Sequence, residues 1–258
     1  MSRVYKFDKT FFDLIDTPIK AYFLGLILTD ATIRHSCWDC RLRLNINDKE
    51  ILERFKYEIQ SEAPLKYEKG NPLKSRGDVV GLGLGSKDFI LNLTKYNLGP
   101  RKSFSTTFPG EDLLPKHLQS SFVRGVFDGD GTLEKHKGQM YFYTSSETFA
   151  SDLKSVLARN QILNCHIYEN NRRGGRVMFY VRINSSGYYE EGSRYNQLNK
   201  KRINCLNTLK VYRYLYSDQT DCYLTRKKVK FEKLLLDKNG HYFSNLTELM
   251  TKPVSDLL

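Results

Sequence analysis

The chain has 258 residues, 40% of them hydrophobic and 13% aromatic, and its 41 Lys and Arg outnumber its 29 Asp and Glu for a formal net charge of +12. That length can bury a core in one domain, or in two of about 100 to 130 residues each. The basic excess is spread along the chain, with 18 basic against 13 acidic residues up to Pro109 and 23 against 16 after it.

With 17 Tyr, this balance favours a polyanionic partner, because phosphates release counterions to Lys and Arg. No run approaches the roughly 18 apolar residues of a membrane span, and the start lacks the apolar core of a signal peptide. A soluble intracellular chain is expected, in a bacterial or phage-infected cytoplasm or an organelle. Five scattered cysteines exclude a disulfide framework. Cys37-Trp-Asp-Cys40 is a lone C-x-x-C near His35; zinc needs a second pair, so a tight hairpin turn is the favoured reading.

In chain order, Thr17 caps the first predicted helix and Pro18 opens it, with the apolar run Phe23 to Ala31 following. Arg41 to Asn47 then alternates as a strand, with Arg41, Arg43, Asn45 and Asn47 on one face and Leu42, Leu44 and Ile46 on the other. Asp48 caps a helix carrying Ile51, Leu52, Phe55 and Ile59, strands are predicted near 65–67 and 79–84, and a helix near 88–96. The second half repeats that order. A strand is predicted at Gln139 to Ser145, a helix at Ser146 to Asn160, and strands at Cys165 to Tyr168 and Arg176 to Asn184. A loop-rich insertion at 185–204 has no counterpart in the first half, and helical pattern resumes from Leu206 and again over Cys222 to Leu236.

The two halves share a motif. Phe23-Leu-Gly-Leu-Ile-Leu-Thr-Asp30-Ala31 and Val123-Arg-Gly-Val-Phe-Asp-Gly-Asp130-Gly131 each carry glycine at the third place, Gly25 or Gly125, and aspartate at the eighth. A helix ending on Asp puts a carboxylate at the negative end of its dipole, disfavoured by a few tenths to about 1 kcal/mol. Packing the two helices through their glycines would add like-charge repulsion between Asp30 and Asp130. A divalent cation reverses both effects, and hard oxygens given singly by two helices suit Mg2+ in phosphoryl chemistry.

These motifs, with Phe11 to Ala21 ahead of the first, Leu98-Gly-Pro-Arg-Lys102-Ser ahead of the second, and Tyr214-Leu-Tyr-Ser-Asp and Tyr223-Leu-Thr-Arg-Lys227 near the end, resemble the single-chain, two-motif LAGLIDADG homing endonucleases. The resemblance implies an α+β fold. It is a tandem pseudo-twofold duplication of αββαββα, with two saddle-shaped antiparallel sheets on the DNA major groove and a central pair of motif helices. The implied halves are 1–109 and 110–236, with a tail at 237–258.

The implied activity is double-strand DNA cleavage, the trade of intron-homing mobile elements. The protein would be a monomer on a long pseudo-palindromic target, with Mg2+ as cofactor and Mn2+ substituting. The implied metal site comprises Asp30 and Asp130 with the motif-closing Ala31 and Gly131, and Lys102 and Lys227 take the places of the basic active-site residue. Two departures stand out: Ala31 replaces the usual closing glycine, and Leu28 stands where Asp128 stands in the second motif.

The expected groove-facing set is Arg41, Arg43, Asn45 and Asn47 with Gln139, Tyr141, Tyr143, Arg176, Tyr180 and Arg182, since Arg reads guanine, and Asn or Gln adenine, bidentately. The alternatives are an RNA maturase that folds its host intron and a non-cutting DNA-binding relative. A self-splicing intein is disfavoured by the Met1 start and the Ser-Asp-Leu-Leu258 end.

Overall fold

The computed structural model describes residues 5–70, 77–100, 105–134, 139–172, 176–183, 208–217 and 220–235. They fall into two compact units. The first comprises Met1–Gly129 with Thr220–Leu224, and the second Asp130–Gln219 with Thr225–Leu258.

In the first unit, α1 (Pro18–Asp30) starts as its sequence predicts. Thr17 is its N-cap, the side-chain oxygen accepting from Lys20 N at 3.3 Å, and Pro18 is the first helical residue. Every residue from Ala21 to Ile27 is buried, so the helix is apolar on all sides and serves as a core element. It packs on the second motif helix, α4 (Gln119–Asp130). A Cβ at Gly25 would overlap Phe122 O and stand 3.0 Å from Val126 N; one at Gly125 would overlap Tyr22 O and stand 2.9 Å from Leu26 N. Backbone thus lies on backbone at both positions, a separation only glycine permits.

Straight after Asp30 the chain turns into β1 (Ala31–Arg34), which pairs antiparallel with β2 (Asp39–Asn45) through a turn holding Cys37 and Trp38. The C-x-x-C is therefore the hairpin turn expected, with Trp38 in the left-handed region at φ 50°. α2 (Lys49–Glu58), β3 (Lys66–Glu68), β4 (Val79–Gly85) and α3 (Lys87–Thr94) follow, and the sheet order is β1-β2-β4-β3. Leu42, Leu44, Val80, Leu82 and Leu84 are buried on one sheet face, with Phe55 of α2 and Phe89 of α3 in the same core.

Two local expectations need correction. The second strand ends at Asn45, and Ile46–Asp48 is a 3-10 turn, so Asn47 is not on the strand. Asn45 Oδ1 accepts from Asn47 N at 3.0 Å and Ile46 N bonds to Asp78 O, which halts the ladder although the alternation of side chains runs on. Asp48 takes the N-cap position of α2 but makes no side-chain capping bond there.

The second unit repeats the sheet. β5 (Gly131–Glu134), β6 (Gln139–Thr144), α5 (Glu147–Arg159), β7 (Cys165–Arg172) and β8 (Arg176–Ile183) give the order β5-β6-β8-β7. Ser146 caps α5 by accepting from Phe149 N at 3.2 Å, and β7 runs four residues beyond the Cys165 to Tyr168 expected for it. Residues 208–216 are helical, here α6, and α7 is Thr225–Leu235. The 185–204 insertion and the tail from 237 lie outside the described residues, as does Lys102. Among the described residues no helix is long and apolar enough to cross a membrane.

The glycine contact gives a direct prediction. Gly25→Ala or Gly125→Ala should destabilise the fold by more than about 3 kcal/mol, since each Cβ meets backbone. Gly83→Ala, whose Cβ would find only Arg41 Cγ at 3.9 Å, should stay within about 0.5 kcal/mol of wild type. Urea unfolding of the three variants checks both.

Candidate functional site

Asp30 closes α1 and Asp130 closes α4, and neither helix has a basic residue in its last turn to offset the dipole. The Asp30 carboxylate is half-buried, with Oδ2 3.3 Å from Thr29 Oγ1. A Cβ at Gly129 would come within 2.6 Å of that Oδ2. Glycine at 129 is what leaves room for the carboxylate beside the end of α4. Ala31, buried, opens β1, and its N–H bonds back to Ile27 O. In the second unit Asp130 is exposed and Gly131 opens β5. Lys227, from the first turn of α7, donates to Gly131 O at 2.7 Å, so two of the residues singled out from sequence are in direct contact. Among the described residues no three His, Cys, Asp or Glu side chains cluster as a metal site. Any ion held here would take carboxylates in ones and twos, as Mg2+ does.

Sequence reasoning passed over a buried polar group behind the second motif. Asp128 is 1% exposed and Arg124, one turn earlier, is fully buried. Asp128 Oδ2 accepts from Tyr22 OH at 2.9 Å and from Leu224 N at 2.7 Å, while Arg124 donates to Thr220 and lies 5.5 Å from the Tyr22 ring centroid. Burial, and then the Asp128 charge, hold the Tyr22 phenol well above its ordinary value. The available signal was the pair of charged residues four apart in a helix otherwise buried and largely apolar.

The two sheets present different faces. On the first, Arg41 faces Gly83 and Arg43 faces Gly81 across the ladder, so the arginine stems lie over a lane without side chains. Arg34 and Arg41 share Asp39 at 2.5 and 2.8 Å, and Arg43 reaches Glu68 at 3.4 Å. Arg43 and Asn45 are exposed.

On the second, Tyr143, Tyr180 and Tyr168 form one row across β6, β8 and β7, and Tyr141, Arg182 and His166 form the next. Tyr168 stacks on Tyr180 with centroids 5.2 Å apart, Tyr141 lies 6.1 Å from Tyr143, and the Arg182 guanidinium sits 4.2 Å from the Tyr168 centroid. The Tyr141 hydroxyl reaches Gln139 Oε1 at 2.5 Å and Glu134 Oε2 at 3.1 Å. Burial and Glu134 push its phenol upward. Arg176 opens β8 in register with Arg172.

A duplicated α+β protein is thus defined, each four-stranded antiparallel sheet preceded by a helix that ends on aspartate. Residues 117–191 match the family model of the LAGLIDADG-like domain. Among solved structures the chain is similar to the homing endonuclease I-WcaI bound to its DNA recognition sequence. The two share 15% identity with a TM-score of 0.52, over 84% of this chain and 87% of that one. It is also similar to the N-terminal LAGLIDADG domain of DUF199/WhiA, at 14% identity and a TM-score of 0.47 over 86% and 93% of the two chains. No curated protein matches the sequence. The protein has the LAGLIDADG homing endonuclease fold and carries a LAGLIDADG-like domain at 117–191.

The buried phenol has a pH consequence. Unfolded tyrosine ionises near 10, and Tyr22 does so well above that in the fold, as does Tyr96, which burial pushes to about 12. Their contribution to stability is full below pH 10 and is lost as pH rises from there through the folded values. Tyr22→Phe should make that alkaline decline shallower. It should also cost about 1–3 kcal/mol at neutral pH through the lost bond to Asp128; denaturant titrations from pH 7 to 11 measure both.

Proposed function

We propose that the protein is a site-specific double-strand DNA endonuclease of the homing type. One observation carries this reading: the Asp30 carboxylate closes a buried helix at its negative pole, against the glycine that precedes Asp130. A carboxylate at the negative pole of a helix is disfavoured by the helix dipole, and a divalent cation offsets that cost. The proposed metal-binding set is Asp30 and Asp130 with the closing residues Ala31 and Gly131; carboxylate oxygens are the hard donors that Mg2+ takes singly, with water and phosphate in the rest of its shell. When bound, Mg2+, or Mn2+ in its place, polarises the scissile phosphate and lowers the pKa of the attacking water.

The chain's own residues do the rest. Lys227, anchored at Gly131 O, is proposed to stabilise charge building on the phosphate, with Lys102 as its counterpart in the first half. Arg41, Arg43 and Asn45 read base edges from the first sheet. Arg41 is engaged through Nε by Asp39, leaving its terminal amino groups to a base. Asn47 serves from the following turn, and Gln139, Tyr141, Tyr143, Arg176, Tyr180 and Arg182 serve from the second sheet. The protein acts as a monomer on a long pseudo-palindromic duplex, and the net charge of +12 supports a strongly salt-dependent affinity.

The tyrosine rows favour a second partner, unpaired RNA of a host intron, because aromatic rings on a sheet stack single bases rather than discriminate base pairs. Competition between a duplex target and single-stranded RNA separates the two. RNA displacing the duplex only when Tyr143, Tyr168 and Tyr180 are intact is the maturase outcome.

Cleavage of the uninterrupted insertion locus of the protein's own gene, with and without Mg2+, tests the principal reading. Asp30→Asn and Asp130→Asn should each retain duplex binding and lose at least about 100-fold in cutting rate; cutting that survives both refutes it. Arg41→Ala should relax preference at one base position by about 1–3 kcal/mol in a site library, and an unchanged profile removes Arg41 from the reading set.

A further inference from the structure

Three polar contacts join the second motif to the chain that leads into α7, and they keep one offset. Arg124 donates to Thr220 Oγ1, Leu224 N donates to Asp128 Oδ2 at 2.7 Å, and Lys227 Nζ donates to Gly131 O at 2.7 Å, each partner lying 96 residues from the other. Residues 220–227 therefore run alongside 124–131 in register, like rungs on a ladder. The middle rung is the most constrained, because Asp128 is 1% exposed and the same Oδ2 also accepts from Tyr22 OH at 2.9 Å. A carboxylate fixed from two directions leaves Leu224 one place to go. Leu224 is the residue before α7, and Lys227 lies in the first turn of that helix.

The first motif lacks this device. At the places corresponding to Arg124 and Asp128 it carries Leu24 and Leu28, side chains that can hold no such strap. The duplication has diverged where a polar ladder is needed in one copy only.

We propose that Asp128 is a positioning residue: it sets the register of α7 on the second motif and so delivers the Lys227 ammonium to Gly131, beside Asp130. It touches neither substrate nor metal. Its effect reaches the second motif alone, which makes the two motif ends unequal. The inference builds on the proposed role of Lys227, but the ladder can be measured with no DNA present.

The test is competitive trace acetylation of lysine amines by acetic anhydride at neutral pH, read by mass spectrometry on the full chain. Lys227, half-buried and bonded, should label about tenfold more slowly than exposed Lys230 and Lys233. Asp128→Leu, which copies the first motif, should abolish that protection while leaving Lys230 and Lys233 unchanged. Asp128→Asn keeps an acceptor oxygen for Leu224 N and should give an intermediate rate.

Tyr22→Phe is the discriminating variant, since it removes the hydroxyl that also donates to Asp128 and leaves the rung in place. Lys227 should stay protected in it despite lower stability. Equal exposure of Lys227 in Tyr22→Phe and Asp128→Leu means that general loosening is at work, and overturns the proposal. So does unchanged labelling in Asp128→Leu. Should Asp128→Leu fail to fold, Asp128→Asn decides alone: a severalfold rise in Lys227 labelling supports the ladder, and a wild-type rate overturns it. Loss of protection in a protein that never cuts DNA would refute the nuclease reading and leave the ladder standing.

Discussion

Two helices that touch backbone to backbone have no freedom to slide or rotate. Gly25 and Gly125 impose that condition: each occupies the space a methyl group would need against the other helix's carbonyl and amide. Such contact excludes water and replaces side-chain packing with peptide packing, so small displacements meet steep repulsion. The consequence is carried along α1 to Asp30, five residues past its glycine, and along α4 to Gly129, four past its own. Gly129 is itself a third position where a side chain would intrude, in this case upon Thr29 and Asp30. The carboxylate at the end of α1 is therefore positioned by peptide packing several residues away.

On this shared frame the halves have been elaborated differently. The first sheet sets arginines over glycines and ties them to Asp39 and Glu68. Ion pairs at an exposed face are worth little to stability, so releasing these arginines to another partner costs little. The second sheet sets tyrosines in cross-strand rows, which stabilise the ladder through ring contacts. The motif helices diverge too, with buried Leu24 and half-buried Leu28 at the places where Arg124 and Asp128 hold a strap. A buried carboxylate is tolerable there because Tyr22 and Leu224 both donate to it.

Much of this was legible from the chain. Thr17 and Pro18 announce the first helix, the alternation around Leu42 and Leu44 announces the strand that follows, and the repeated glycine-to-aspartate spacing announces the duplication. What escaped has physical reasons. β1 and β5 are four residues long and begin directly after an aspartate that ends a helix, leaving no flanking turn to mark them. Asn47 continues an alternation that the backbone has already abandoned, because Asn45 turns its side chain onto the next amide but one. The ladder behind Asp128 has partners 96 residues away, and no local pattern encodes such a distance. Only the presence of two charges in a buried helix hinted at it.

Binding of Mn2+ to the protein in the presence of duplex DNA, read by electron paramagnetic resonance of free against bound ion, addresses the shared-metal idea most directly. Replacing Asp30 and Asp130 together by Asn should remove the protein-dependent bound signal while the duplex remains bound. Undiminished Mn2+ binding by that double variant would contradict the claim that these two helix ends exist to hold a cation.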